Sequence, residues 1–275
     1  MRTECNVCMH HCSLEEGKTG ICRAWKNEGG TIRSTNYGKI TSIDLDPMEK
    51  KPLLHFYPGT WILSVGSFGC NLRCPFCQNY SISQSGEEES DYIRISPEEL
   101  VEKAVEWKER GNVGIAFTYN EPLIGWEFVR DTARLAREKD LKTVVVTNGS
   151  FTEETLQEVL PYVDAMNIDL KGFTDRYYRM LGGDLETVKK FILGAAGKCH
   201  IELTTLIVPG ENDTVEEMQQ IAAWIAAIDP EIPLHISRFF PAWKMQDRGP
   251  TRIDKVMELV AEAQKYLKYV HPGNC

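Results

Sequence analysis

The sequence lacks a long apolar segment, because none of its 275 residues lies in a run of the roughly 18 to 20 apolar residues that a membrane helix needs. The N-terminal stretch MRTECNVCMHH has no apolar core and cannot act as a secretory signal. The chain also lacks an excess of positive charge, since the net charge is -9. Binding to nucleic acid phosphates needs a basic face. These absences predict a cytoplasmic protein without a membrane or nucleic acid partner.

Internal repeats and low-complexity linkers are absent as well, which argues against a repeat architecture. The composition, with 42% hydrophobic and 26% charged residues, is that of an ordinary globular protein. A chain of this length can bury a proper core. We expect two parts, which are a cysteine-rich, metal-binding head with a β-hairpin region at residues 1–60 and a core domain at residues 61–275.

Cysteine, in contrast, is abundant and mostly clustered. A cytosolic chain keeps its thiols reduced, so clustered cysteines indicate metal binding rather than disulfides. Cys199 and Cys275 are isolated, and we interpret them as structural or incidental. The other seven of the nine cysteines form two clusters, Cys5, Cys8, Cys12 and Cys22 in the head and Cys70, Cys74 and Cys77 further on.

After residue 60, short apolar runs alternate with amphipathic segments, which indicates parallel strands joined by right-handed helical crossovers. Strands are predicted at 61–68, 113–118, 143–148, 163–170, 200–209 and 233–240, and helices at 96–111, 123–139, 152–162, 184–198, 213–228 and 251–268. These six units are too few for a closed eight-fold barrel. The pattern alone fits both a doubly wound open sheet and a partial barrel. Before these units, residues 31–60 predict a β-hairpin region with its turn at Tyr37 and Gly38.

Polar residues gather just after the predicted strands, where the carboxyl ends of parallel strands face one mouth. They are the loop with three cysteines, TYNEP (118–122), TNG (147–149), DLK (169–171) and VPG with Asn212 and Asp213, while the last strand holds His235 and Arg238. One polar strand end is common, but six in succession are not. The pattern therefore predicts a catalytic site at that mouth.

The loop CNLRCPFCQN (70–79) has the spacing C-x3-C-x2-C. Three thiolates from a short loop can ligate three corners of a [4Fe–4S] cluster, whereas ordinary ferredoxin clusters take four cysteines. The missing fourth ligand would leave one iron open to a substrate or cosubstrate. A structural zinc site is the alternative, but it needs four closed ligands and fits this loop poorly.

GCNLRCPFC, with Phe76 before Cys77, resembles the cluster loop of the radical S-adenosylmethionine (SAM) superfamily. The rest of the chain, over roughly residues 61 to 270, is similar to the branch of glycyl-radical activating enzymes that includes pyruvate formate-lyase activating enzyme. It is most similar to the AmmeMemoRadiSam group, which also pairs a cysteine-rich head with FGCNLRCPFCQN and TYNEP. The resemblance implies a partial (β/α)6 TIM-type barrel. It also implies an enzyme that reductively cleaves SAM to methionine and a 5'-deoxyadenosyl radical, which abstracts hydrogen.

The resemblance also assigns SAM contacts at the strand ends. TYNEP stands where the family has a Gly-Gly-Glu motif, so Asn120 and Glu121 are expected at the SAM amino group. Asp169 and Lys171 resemble the family's D-x-K pair, with the ammonium suited to the SAM carboxylate. The other expected contacts are Phe76, Val208 and Pro209 at the adenine, Thr147 and Asn148 at the ribose and methionyl parts, and His235 near the ribose.

Each of these motifs has a plainer interpretation when it is taken alone. Asp169 and Lys171 would form an ordinary surface pair, TNG would be a turn, and His235 would be a hydrogen-bonded, half-buried histidine. One position departs from the family pattern. Val146 stands where pyruvate formate-lyase activating enzyme has an aspartate tied to a monovalent cation, so strict functional equivalence is not expected.

The head carries the spacing C-x2-C-x3-C-x9-C, with His10 and His11 inside it. Zinc in a small closed site would order a segment that has no core of its own. A second [4Fe–4S] cluster that relays electrons is the alternative, and free thiols in a flexible head are the third interpretation.

Three functions are compatible with these features. The first is hydrogen abstraction from a protein substrate, as in a glycyl-radical activase, with a flavodoxin- or ferredoxin-type electron donor expected from the resemblance. The second is radical modification of a small molecule or of a non-glycyl protein. The third is a zinc-stabilised binding module without catalysis.

Overall fold

The structure is a computed structural model and describes residues 2–275. Its strands are β1 Thr3–Glu4, β2 Ser13–Leu14, β3 Trp25–Glu28, β4 Thr31–Ser34, β5 Lys39–Ile40, β6 Ser42–Pro47, β7 Trp61–Gly66, β8 Ile93–Arg94, β9 Asn112–Phe117, β10 Lys142–Thr147, β11 Ala165–Asp169, β12 His200–Ile207, β13 Leu234–Arg238 and β14 Val270–Gly273. Its α-helices are α1 Tyr80–Ser83, α2 Pro97–Glu106, α3 Trp126–Glu138, α4 Glu153–Val159, α5 Asp175–Leu181, α6 Leu185–Ala195, α7 Val215–Ile228 and α8 Ile253–Ala263. Short 3-10 helices lie at Met48–Lys50, Glu87–Glu89, Trp107–Arg110, Pro122–Gly125 and Leu160–Tyr162.

An eight-stranded sheet forms the centre of the fold, in the order β14-β13-β12-β11-β10-β9-β7-β6. All neighbours from β14 to β7 run parallel, whereas β6 pairs antiparallel with β7. The six predicted strands are the six in the middle of this order. Strands β14 and β6 are the two edges and do not pair with each other, so the barrel stays open on one side. The fold is therefore a partial TIM-type barrel.

The longer helices cover the outer face of the sheet because each has one apolar stripe. In α2, for example, Ser96 caps the first turn by accepting from Glu99 N, and Glu99 accepts from Ser96 N in return. The helix then buries Leu100 and Ala104, one turn apart, against the sheet. Alternate strand residues such as Leu63 complete this core. Among residues 2–275, no helix is long and apolar enough to cross a membrane.

The inner face of the barrel is filled partly by the segment that follows β6. Met48 and Leu53 are fully buried in one apolar group with Ile62, Ala116, Val144 and Ala165, which come from the strands. The segment is fixed by Glu202, whose carboxylate accepts from the backbone N–H groups of Leu54 and His55 at 3.0 and 2.8 Å. The residues between β6 and β7 therefore form part of the barrel's interior.

The head forms two small antiparallel ribbons, β1 with β2 and β3 with β4, and docks on the barrel. The predicted hairpin turn at Tyr37 and Gly38 is wrong. Strand β4 pairs with β3, while β5 pairs with β8 and β6 pairs with β7, so no strand pairs across that turn. Strand β6 joins the main sheet before residue 61. The division into residues 1–60 and 61–275 stays a prediction.

Helix α5 and strand β14 are among the elements that were not expected from the sequence. Helix α5 lies between β11 and α6, where the prediction left a loop. Strand β14 holds Pro272, which lacks the N–H that a central strand would need. An edge position tolerates this, because one side of the strand has no partner.

Candidate active site

A cavity of about 570 Å³ opens at the carboxyl ends of the parallel strands. Its size is typical of sites for small molecules and cofactors. The expected site residues that line it are Cys70, Cys74, Phe76, Cys77, Asn120, Glu121, Thr147, Asn148, Asp169 and Lys171. They come from the ends of β7, β9, β10 and β11, so the parallel sheet brings together residues that are far apart in sequence.

The cysteine loop follows β7 and carries its three thiols to this cavity. Cys74 is buried, while Cys70 and Cys77 are half-buried. Burial raises the pKa of the Cys74 thiol to about 11, although the nearby Lys171 ammonium acts in the opposite direction. The Leu72 backbone N–H donates to Cys70 Sγ at 3.4 Å. Backbone hydrogen bonds of this kind stabilise a thiolate and tune a cluster that it ligates.

Asn120 and Asn148 both bind the loop, Asn120 at its backbone and Asn148 at the side chain of Asn71. Asn120 Oδ1 accepts from Ser67 N at 2.9 Å, and its Nδ2 donates to Gly69 O at 3.0 Å. Further along, Asn71 Oδ1 accepts from Asn148 Nδ2 at 2.8 Å. Asn120 therefore fixes the approach to Cys70, which is a positioning role that sequence reasoning did not anticipate.

Glu121 is buried and joins the ends of two strands. Its Oε1 accepts from Thr147 Oγ1 at 2.8 Å and from Leu123 N at 3.0 Å, and its Oε2 accepts from Asn148 N at 2.7 Å. Burial raises the pKa of Glu121 to about 7, and these hydrogen bonds oppose the rise. A carboxylate has about four lone-pair sites, so one acceptor site remains for a donor in the cavity.

Asp169 and Lys171 form an ion pair beside the cysteine loop, with 2.7 Å between Asp169 Oδ2 and Lys171 Nζ. Burial alone would lower the pKa of Lys171, but the Asp169 carboxylate raises it above its ordinary value. Lys171 therefore presents a charged ammonium to the cavity. Phe76 packs edge-on against Phe239, with 6.2 Å between the ring centroids.

Val208 and His235 do not line the cavity. Val208 is buried behind the cysteine loop in an apolar group with Leu72 and Phe76. His235 lies deeper in the barrel, where its Nε2 is 2.6 Å from Glu202 Oε2. Its ring is engaged with this carboxylate, so its expected position near a ribose stays a prediction.

Sequence reasoning missed a charged cluster in the same cavity, which we call the charged floor and which consists of Asp46, Lys51 and Tyr119. Asp46 Oδ2 lies 2.7 Å from Lys51 Nζ and accepts from the Tyr119 hydroxyl at 2.6 Å. Tyr119 belongs to TYNEP, but the motif itself does not indicate where its ring points. Asp46 and Lys51 gave no signal, because the sequence showed only a hairpin region there.

The thiols of the four head cysteines are close enough to interact electrostatically. Cys5, Cys8 and Cys22 are buried, and Cys12 is half-buried. Burial, reinforced by the neighbouring thiols, raises the pKa of Cys8 to about 12. Across residues 2–275, no three His, Cys, Asp or Glu side chains are gathered as the ligands of one ion would be. The metal of the head stays a prediction.

The fold and the cavity define an α/β enzyme with an open parallel barrel and a three-thiol loop at its mouth. The donors fit a [4Fe–4S] cluster with one iron free of protein ligands, because the loop supplies three cysteines and no fourth. The carboxylates nearest to it, Glu121 and Asp169, are already bound to Asn148 and Lys171. Cys70, Cys74 and Cys77 would thus hold the cluster.

Comparison with known proteins gives the family. Residues 64–225 match the model of the Radical SAM superfamily. The chain is 40% identical to an uncharacterized protein of Methanocaldococcus jannaschii, over 99% of this chain and 81% of that protein. It is 27% identical to the pyruvate formate-lyase-activating enzyme of Clostridium pasteurianum, over 56% of this chain and 65% of that enzyme. The chain belongs to the radical SAM superfamily.

Solved structures share the fold. SuiB of Streptococcus suis bound to SAM aligns with a TM-score of 0.60 at 12% identity, over 75% of this chain and 48% of SuiB. SuiB bound to its precursor peptide SuiA aligns with a TM-score of 0.57 at 13% identity, over 75% of this chain and 47% of SuiB. This chain therefore spans about half of SuiB and 65% of the activating enzyme.

Family membership makes this chain an enzyme and implies a [4Fe–4S] cluster and SAM as its cofactors. It thus excludes the zinc-stabilised binding module without catalysis. When bound, the cluster and SAM supply one-electron chemistry that ends in abstraction of a hydrogen atom. The chain's own residues would position these cofactors.

Proposed function

We propose that this enzyme abstracts a hydrogen atom from a protein substrate, as a glycyl-radical activating enzyme does. The observation that carries the proposal is the open side of the barrel. The edge strand β6 contributes Asp44 and Asp46 to the lining of the cavity, so the cavity extends to an edge that no further strand closes. A peptide loop can enter from this side, whereas a closed barrel would admit it only along its axis.

Two of the similar proteins support a protein or peptide substrate. One is named as the activating enzyme of pyruvate formate-lyase, which is itself a protein. The other, SuiB, has been solved with a precursor peptide bound. A small flavodoxin or ferredoxin is the proposed electron donor.

We assign roles to the cavity residues on the same basis. Cys70, Cys74 and Cys77 hold the cluster. Asp169 and Lys171 contact SAM, with the Lys171 ammonium directed at the SAM carboxylate. Glu121 uses its remaining acceptor site for the SAM amino group. The other proposed SAM contacts are Phe76, Asn120, Thr147, Asn148, Val208 and His235.

The cofactor assignment is tested by EPR on anaerobically purified, dithionite-reduced protein, with and without SAM. A reduced-cluster signal that changes on addition of SAM, and that is lost in Cys74→Ala, supports it. No cluster, or a cluster that does not respond to SAM, contradicts it. Iron, sulfide and zinc counts on the same sample test the head. Iron above one cluster per chain indicates a second cluster there, and one zinc per chain indicates a structural zinc site.

The substrate is tested by isotope transfer. Cells that produce the enzyme are grown with deuterium label. Their extract is divided by size into a protein fraction and a small-molecule fraction. The enzyme is then supplied with SAM and reductant. Deuterium in the 5'-deoxyadenosine product with the protein fraction supports the proposal. If proteins labelled only at glycine are sufficient for this transfer, and a persistent protein radical signal appears, the target is a glycyl residue. Deuterium that comes from the small-molecule fraction alone refutes the proposal.

A second candidate is radical modification of a small molecule or of a non-glycyl protein. Val146 favours it, because this apolar side chain lines the cavity where the resembled activating enzyme has an aspartate. In the same isotope experiment, this candidate predicts transfer from the small-molecule fraction or from residues other than glycine.

A further inference from the structure

The charged floor is more than an ion pair that fills the barrel. Lys51 is 2% exposed and Asp46 is 3% exposed, yet both line the cavity. Burial of two charges is costly, and hydrophobic residues of similar volume are often at least as stable. A buried pair that faces a cavity is therefore poorly explained by stability alone.

Asp46 is held by three donors of the protein. Its Oδ2 binds Lys51 and the Tyr119 hydroxyl, and its Oδ1 lies 3.0 Å from Lys50 Nζ. Burial alone would raise the pKa of Asp46, but these three donors hold it well below its ordinary value. Asp46 is thus a charged carboxylate that these three donors hold in place.

Lys51 is not saturated. An ammonium has three N–H donors. In the described chain its oxygen acceptor is Asp46, and its Nζ otherwise lies over the Tyr119 ring, 4.9 Å from the centroid. Donor capacity therefore remains on a buried cation at the wall of the cavity. Desolvation lowers the pKa of Lys51, so an added anionic partner would be favourable.

Tyr119 connects this floor to the cluster loop. Its backbone has φ of +71°, a left-handed conformation that is strained for a tyrosine. The carbonyl of Tyr119 accepts from Asn79 Nδ2 at 2.7 Å, just after the cysteine loop. The strained residue thus directs its ring into the barrel while its backbone stays beside the cluster loop.

We propose that the charged floor binds a carboxylate of the substrate and that Lys51 is the residue that recognises it. The inference rests on the proposed function, because it places the carboxylate in the same cavity as the radical chemistry. Lys51 donates to the carboxylate, Asp46 orients Lys51, and Tyr119 fixes Asp46. The carboxylate belongs either to a free organic acid or to an acidic side chain of a peptide.

The test uses holoenzyme with SAM and two matched pairs of probes. One pair is N-acetylglycine and N-acetylglycinamide, and the other is a blocked Gly-Asp-Gly peptide and its Gly-Asn-Gly analogue. Binding is measured by calorimetry. Wild type is expected to bind the acid of one pair on the order of tenfold or more tightly than its amide, as one charge-assisted hydrogen bond provides. The pair that shows the preference identifies the source of the carboxylate.

Lys51→Met is expected to abolish this preference, because it keeps the apolar stem and removes the ammonium. Lys139→Met is the control, since Lys139 is an exposed lysine that follows α3. If Lys51→Met does not fold, Asp46→Asn is added to it, so that no buried carboxylate is left unpaired. Retention of the preference in Lys51→Met, or in the double variant with Asp46→Asn, overturns the proposal. Failure of both acids to bind wild type also overturns it.

The proposed function can fail separately. The response of the cluster EPR signal to SAM is recorded on wild type and on Lys51→Met. A wild type that prefers the acid but shows no SAM response keeps the carboxylate site and loses the radical function. A normal SAM response without an acid preference does the reverse.

Discussion

Gly69→Ala should disturb the contact between the head and the cluster loop. Gly69 precedes Cys70 and has φ of +87°, a conformation that disfavours any residue with a Cβ. A Cβ at this position would overlap the carbonyl oxygen of Cys22 and lie 2.9 Å from Ile124 Cδ1. The oxygen belongs to the backbone of the head, so it cannot move without moving that segment.

The magnitude follows from a matched comparison. Gly17 has a similar φ of +73°, but a Cβ there meets nothing within 4 Å. Left-handed strain costs an alanine roughly 1–2 kcal/mol at either site. The lower entropy of the unfolded chain affects both variants equally. Overpacking adds roughly 1–3 kcal/mol at Gly69 only. The free energy of unfolding should therefore fall by about 1–2 kcal/mol in Gly17→Ala and by about 2–5 kcal/mol in Gly69→Ala.

Urea unfolding of the two variants under reducing, anaerobic conditions measures this difference. Iron content after reconstitution gives a second measurement, because the overlap lies next to a cluster ligand. Gly69→Ala should retain less iron than Gly17→Ala. Equal destabilisation and equal iron in the two variants would show that the head does not press on the loop, and the reasoning would fail.

Three further changes test other contacts. Asn120→Ala leaves Ser67 N and Gly69 O without their partner, so the free energy of unfolding should fall by about 2–4 kcal/mol in urea and the iron content should fall too. Burial alone would raise the pKa of Glu202, but hydrogen bonds from histidines lower it from 4.5 to about 2. Wild type should therefore lose stability as the pH falls from about 4.5 towards 2. Glu202→Gln should lose this pH dependence in unfolding scans. Lys171→Met should raise the Kd for SAM on the order of tenfold to a hundredfold in EPR titrations.

Each of these three predictions would be contradicted by one specific result. Unchanged iron in Asn120→Ala would show that the loop does not depend on this side chain. The same acid slope in Glu202→Gln would assign the acid sensitivity to other carboxylates. An unchanged SAM affinity in Lys171→Met, with a control substitution at the exposed Lys139, would remove Lys171 from the SAM site.

The sequence was sufficient to predict the features that local patterns determine. Apolar runs bounded by helix signals gave the six central strands, because a parallel strand covered on both faces is apolar throughout. The strand ends then followed from the strands, and with them most residues of the cavity. Ser96 and Glu99 marked the start of α2 because a capping box acts over four residues.

What the sequence could not predict depends on contacts between distant segments. β6 is recognised only by its pairing with β7, and β14 is too short and contains a proline. The charged floor requires that Tyr119 point into the barrel and meet Asp46 from the edge strand. No periodicity encodes such a meeting. Likewise, His235 resembled a ligand contact, but its bond to Glu202 is visible only in three dimensions.

The two cysteine clusters, which the sequence presents as separate motifs, are in contact through the backbone. The Cys22 carbonyl lies against Gly69, and His10 Nε2 lies 2.8 Å from the carbonyl oxygen of Asn71. Gly69 and Asn71 flank Cys70, so the head holds the backbone on both sides of a proposed cluster ligand. Since a protein interior transmits small displacements, a rearrangement of the head thiols on binding a metal would shift the Cys70 thiol. The head is therefore part of the support for the cluster loop.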